Sequence, residues 1–159
     1  MNANVRAFLD MLAWSEIGPD MLTASDDGYD VIVGSTPGHM IQFRNYADHP
    51  NIYVQAVNST AAGRYQILHR YWPHYKAQLG LSDFGHDAQD AYAIQQIREQ
   101  RALEPLESGD LETAIARCAN IWASLPGDTG YGQHQHTLAD LRDVFVQAGG
   151  ILSCNRGGK

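Results

Sequence analysis

The sequence predicts an α+β domain, mainly helical, with a small antiparallel β-sheet placed after the first helix. Three observations carry this. Apolar residues near the N-terminus recur with the helical period. Two short β-branched and aromatic runs, Tyr29 to Val33 and Met40 to Phe43, are separated by turn-forming residues. From Leu68 onward the helical period returns and persists. Strands segregated from helices in this order imply α+β packing rather than alternating βα units. At 159 residues, a single domain spanning 1–159 is expected.

In the first helix Val5, Phe8, Leu9 and Leu12 fall at i, i+3, i+4 and i+7, with Asn4 as the expected N-cap and Gly18-Pro19 as the stop. The polar stretch Asp20 to Gly28 contains Ser25-Asp26-Asp27-Gly28, which reads as a turn. Gly34 to Gly38 joins the two β runs as a hairpin with a longer loop, and Asn45 to Thr60 reads as ordered loop. Tyr71, Tyr75 and Leu79 share a helical face, with Pro73 in the first turn. Another helix occupies Ser82 to Gln100, starting near Asp87. Leu111, Ala114, Ile115, Cys118, Ala119 and Trp122 follow the helical period, as do Leu138, Leu141, Phe145 and Ala148 before Gly149-Gly150. Residues 153–159 are expected to fray. A cleft between the β-sheet and the helical part is the expected place for a ligand.

Composition excludes several classes. The 44% hydrophobic content supports a core. Eleven Lys+Arg against eighteen Asp+Glu give −7, so no cationic surplus exists to bind nucleic acid by charge. No apolar run approaches the roughly 18 residues of a membrane span, and Asp10 breaks the N-terminal run where a secretory signal would need continuity. An acidic, soluble domain made in a reducing compartment is expected. Cys118 and Cys154 are too few for a disulfide scaffold and lack metal spacing, and Cys118 reads as a buried free thiol.

One carboxylate stands out. On a helical wheel starting at Val5, Phe8, Leu9 and Leu12 define an apolar stripe and Glu16 falls at about 20°, within it, whereas Asp10 falls at about 140°. A carboxyl held away from water has its pKa raised and can serve as a general acid. The alternative is that the helix has ended and Glu16 faces solvent. Asp30 either supplies a second carboxylate to the cleft or orders the turn after Gly28. Asp48-His49 before Pro50 looks like a dyad, although local structure is the commoner role for such a turn. The glycine-rich loop Gly127 to Gln133 lacks the Lys-Ser/Thr of a phosphate loop. His134 and His136 lack an obvious third metal ligand, so neither metal nor cofactor is expected. Trp72 and Trp122 lie in helical patterns and read as core.

The segment Ala7-Phe8-Leu9-Asp10-Met11-Leu12-Ala13-Trp14-Ser15-Glu16 resembles the start of the phage lambda endolysin family. The resemblance continues, in the same order, through Gly28 to Gly34, Tyr46 to Pro50, Ser59 to Gln66, Asn120 to Gly127 and Gly130 to Gln133. It spans the chain from about Arg6 to Gly150, and collinear blocks are more specific than any single motif. It implies a lysozyme-like fold whose small β-sheet forms one side of the cleft, and a lytic transglycosylase acting on peptidoglycan glycan strands. The glutamate of Trp14-Ser15-Glu16 is then the catalytic acid/base. Asp30, Tyr46, Ser59, Tyr65, Gln66, Tyr131 and Gln133 are implied to bind substrate, with packing an alternative for Tyr65, and Arg64 has no assigned role. The resemblance further implies a monomer held in the host cytoplasm, with a holin-type protein releasing it to the periplasm at lysis.

The chain departs from that pattern in several places, among them the altered polar connection from Asp20 to Asp27. Ile17 stands between the glutamate and Gly18, Ser35 to Arg44 is longer, Ala61 replaces a usual glycine, and Asp128-Thr129 lengthens the glycine-rich loop. These changes bear on cleft width and hence on substrate preference. Two competing functions remain: a hydrolysing lysozyme using Glu16 with Asp30, and a glycan-binding or tail-assembly module without catalysis.

Overall fold

The computed structural model describes residues 1–127 and 136–154. Its helices in chain order are α1 (Ala3–Glu16), α2 (Pro19–Ala24), α3 (Trp72–Gln78), α4 (His86–Glu99), α5 (Leu103–Glu107), α6 (Leu111–Cys118) and α7 (Leu138–Gln147), with a 3₁₀ turn at Gln55–Val57. None of the described helices is long and apolar enough to cross a membrane. The chain forms two compact units, one of Met1–Ser15 with Ile94–Lys159 and one of Glu16–Ala93.

In the first unit α1 is buried well beyond the expected stripe, since Ala7, Met11 and Ala13 are covered along with Val5, Phe8, Leu9 and Leu12. Its cap is Asn2, not Asn4: the Asn2 Oδ1 accepts from the backbone N–H groups of Asn4 at 2.8 Å and Val5 at 3.4 Å. Asn4 lies two residues past that cap and works at long range. Its Nδ2 donates to the carbonyls of Leu106 and Ile151, and its Oδ1 accepts from Ile151 N at 2.8 Å. Ser153 N adds a bond to Gly109 O, so the described part of the C-terminal segment is anchored where fraying was expected to begin.

Helix α6 is capped by Asp110 and α7 by Thr137, each accepting from a first-turn N–H. The α6 pattern ends at Cys118; Trp122 N bonds back to Cys118 O, and the Trp122 ring is buried. Cys118 is a buried free thiol as expected, and burial pushes its pKa up to about 12. Helix α5 had no periodic signal, because its five residues include Pro105 and are too few to show one.

In the second unit Pro19 starts α2, so the polar stretch contains a short helix before its turn. That turn is present: Gly28 N bonds to Ser25 Oγ, and Tyr29 N to Asp26 O. The expected sheet is not formed as such. Val31 pairs antiparallel with Gln42, Ile32 with Ala62, and Ala62 with Ile67, all as isolated bridges among the described residues. The passes have the right direction, but each stays extended for one or two residues between turns, so no continuous ladder develops. Trp72 is buried against Phe84 and Tyr92, as its position in a helical pattern implied.

Candidate active site

Glu16 is the last residue of α1 and is half-buried, so the helix does reach it. Behind it, Ile17 is buried and its side chain packs against Gly28. A Cβ on Gly28 would sit 3.4 Å from Ile17 Cγ1 and only 2.8 Å from Leu22 Cδ2, and φ there is +84°. Glycine is therefore what lets the Ser25–Gly28 turn lie directly on the residue following Glu16. That turn leads into the polar side chains of the β patch.

Nearly every acidic group there is already engaged. Asp30 accepts from Asp26 N at 3.0 Å through one carboxylate oxygen and from Gln42 Nε2 at 2.8 Å through the other. It thus orders the turn, the local role open to it in the sequence. Asp26 accepts from Tyr46 Oη and from His86 Nε2, each at 2.6 Å. Those two bonds hold its pKa below the usual aspartate value, although burial opposes them. Asp27 pairs with Arg64 at 3.3 Å. Asp48 accepts from the Trp72 indole at 2.7 Å and from His49 N, and lies 3.2 Å from Lys76 Nζ. Burial alone would raise the Asp48 pKa, but these donors outweigh it and the net direction is down.

The Asp48-His49 pair is structural. His49 is buried, its Nδ1 accepts from Asn51 N, and its Nε2 lies 2.7 Å from Ile67 O. A ring with one accepting nitrogen must donate through the other, so His49 is neutral with the proton on Nε2. Burial lowers its pKa accordingly.

Of the expected substrate contacts, Tyr46 is half-buried, with its ring edge-on to Phe43 and His86 and its hydroxyl on Asp26; burial and Asp26 raise its pKa. Ser59 Oγ accepts from Ala61 N at 3.1 Å. Gln66 Nε2 donates to Gly63 O at 2.8 Å, and its backbone has φ of +50°. Tyr65 requires correction. It is 1% exposed, so its ring offers no face for a sugar to stack on. Its hydroxyl donates to Asp90 Oδ1 at 2.5 Å and accepts from Arg64 Nη1 at 3.1 Å. Tyr131 and Gln133, like His134, lie outside the described residues. His136 packs on Trp14, with ring centroids 4.5 Å apart. No group of three His, Cys, Asp or Glu side chains that would hold a metal occurs among the described residues.

A buried polar network that sequence reasoning missed supports this surface. Tyr29 and Tyr65 both donate to Asp90 Oδ1, Arg64 bonds Asp27 and Tyr65, and Gln89 joins Arg64 N, Tyr29 O and Phe84 O. Burial, reinforced by Asp90, pushes the Tyr29 phenol up to about 12. Tyr29 in turn stacks on His86 at 3.9 Å, linking the buried network to the exposed Asp26 cluster. The available signal was Gln89 and Gln96 at i, i+7 on α4 with Ala93 and Ile97, polar residues on an apolar period.

A family model described as Endolysin matches residues 6–152. The endolysin of Escherichia phage lambda is 50% identical over 157 residues, covering 96% of this chain and 95% of that protein. The endolysin of Escherichia phage P2 is 47% identical over 156 residues, covering 93% and 94%. Among solved structures, bacteriophage lambda lysozyme complexed with a chitohexasaccharide matches with a TM-score of 0.85 at 47% identity, over 96% of this chain and 97% of that one. A second, lysozyme from bacteriophage lambda, matches with a TM-score of 0.82 at 47% identity, over 96% and 97% of the two chains. The fold is lysozyme-like.

Proposed function

The chain belongs to the endolysin family, and from that premise we propose that it is a phage lysis enzyme, a lytic murein transglycosylase cleaving the MurNAc-β-1,4-GlcNAc bond of peptidoglycan. The observation that carries the transglycosylase reading is the engagement of Asp30, whose two carboxylate oxygens are bound to Asp26 N and Gln42 Nε2. A glycoside hydrolase normally needs a second carboxylate to activate water or attack the sugar. A transglycosylase needs only one.

Glu16, protonated, donates its proton to the glycosidic oxygen as the bond from C1 of MurNAc breaks. The resulting Glu16 carboxylate takes the proton of the C6 hydroxyl of the same MurNAc, and O6 bonds to C1. The products are a GlcNAc hydroxyl and a 1,6-anhydromuramoyl end, and no water is consumed. Because the C6 hydroxyl is tethered to the reacting ring, its attack has a high effective concentration. Tyr46, Ser59, Gln66, Tyr131 and Gln133 are proposed to line the glycan path. The enzyme works as a monomer without a cofactor, waits in the host cytoplasm, and reaches the periplasm through a holin-type protein.

Mass spectrometry of digested peptidoglycan tests the chemistry, since anhydro ends are one water lighter than reducing ends. Anhydro ends are expected, and reducing ends alone would refute the transglycosylase reading. Glu16→Gln should cut the rate by about 100-fold or more, the scale of losing general acid–base catalysis. Asp30→Asn should keep the anhydro product. If it abolishes turnover in a folded protein while Glu16 is intact, the two-carboxylate lysozyme reading takes its place.

A further inference from the structure

The last turn of α1 is tied down at the two residues immediately before Glu16. The Ser15 hydroxyl, buried, lies 2.8 Å from Ser124 Oγ and 3.4 Å from Ser124 O. The Trp14 ring packs on His136 at 4.5 Å, with the planes tilted by 48°. These two anchors are also joined to each other, because His136 N donates to Ser124 O at 3.4 Å. Ser124 and His136 thus form one closed set of contacts with Trp14 and Ser15.

The set sits where a helix is least held by its own bonds. The last turn of a helix has carbonyls without intrahelical partners and frays first. Glu16 is the final residue of α1 and is followed by Ile17 and Gly18, whose φ of +90° leaves the helical path. Its carboxyl position therefore depends in part on what holds residues 14 and 15, on the side opposite in sequence to the buried Ile17. One ring contact at Trp14 and one hydroxyl pair at Ser15 restrain two consecutive residues of that turn.

We propose that Ser124 and His136 are positioning residues for the reaction, acting through Ser15 and Trp14 to hold the Glu16 carboxyl on the glycosidic oxygen. The proposal rests on Glu16 being the acid/base. Neither residue touches the substrate in this role. The consequence is a defect in turnover rather than in binding, because a misplaced acid lowers the rate of proton transfer while the glycan contacts remain. Displacements of about 1 Å at a reacting group cost as much as about 100-fold in rate.

The test is kcat and KM on soluble glycan strands, measured with the full chain well below its unfolding temperature. Ser124→Ala and His136→Ala should each lower kcat about tenfold or more with KM changed less than about twofold, on the scale of such misplacements. Ser124→Thr, which keeps the hydroxyl, and His136→Phe, which keeps a ring, should recover most of the loss. Ser15→Ala, which removes the other hydroxyl, should reproduce the Ser124→Ala defect and serves if that variant does not fold. Loss appearing in KM with kcat intact, or kcat unchanged in Ser124→Ala and Ser15→Ala, overturns the proposal. Glu16→Gln is measured alongside. If it stays active the acid/base reading fails, whereas an inactive Glu16→Gln beside a fully active Ser124→Ala removes only the positioning role.

Discussion

Tyr65→Phe separates a core role from a binding role at a residue whose sequence context favours substrate contact. The substitution removes one oxygen atom from a side chain that is 1% exposed. That oxygen donates to Asp90 Oδ1 at 2.5 Å and accepts from Arg64 Nη1 at 3.1 Å, both buried. A hydrogen bond to a charged group contributes about 1.5–3 kcal/mol, and here each partner is charged. Tyr29 still donates to the same Asp90 oxygen at 2.8 Å, so the aspartate keeps a partner. Arg64 likewise keeps its bonds to Asp27, so neither partner is orphaned and the expected loss is about 2 kcal/mol, below the sum of two such bonds. For a domain of this size it lowers Tm by about 4–8 °C. Urea denaturation at pH 7 measures the first quantity and calorimetry the second. KM for soluble glycan should not change at a temperature where both proteins are folded. A raised KM with unaltered stability would refute the reasoning, placing the hydroxyl on substrate rather than in the network. Adding Tyr29→Phe should cost more than the two single losses together, because Asp90 Oδ1 then loses both phenolic donors.

Two further outcomes follow from the same unit. Burial holds the His49 pKa below its usual value, so the unfolded chain binds more protons than the native one below about pH 6.5. Stability should fall as the pH drops from 7 toward 5, and His49→Gln should flatten that dependence in urea titrations. Asp26 and Asp48, with depressed pKa values, contribute stability that declines only below about pH 3.9, so the two windows are separable. Gly63→Ala should destabilise by about 3 kcal/mol, combining left-handed backbone strain with lost Gln89 bonds. A Cβ there would lie 2.2 Å from Gln89 Oε1, at a φ of +81°. Urea unfolding checks it, and a loss below 1 kcal/mol would mean that Gln89 can move without breaking its bonds to Arg64, Tyr29 and Phe84.

Local chemistry made much of the chain legible from sequence. The apolar period marked α1, α6 and α7 to within a few residues, because burying one face of a helix repeats every turn. Proline at the start of α3 and glycines after α7 acted through their own backbone restrictions. The same period placed Glu16 on the apolar stripe, where it is half-buried at the end of α1, and collinear segments marked the family. The rest depended on partners far away in the chain. Asn4 reads as a cap until it meets Ile151, 147 positions on, and Tyr65 reads as a sugar contact until Asp90 takes its hydroxyl. Asp30 offers the same two oxygens to a cleft or to a turn, and Gln42 and Asp26 claim them. A side chain's type sets which bonds it can make. Which bond it does make is decided by the groups that folding brings within about 3 Å, and local sequence does not contain that information.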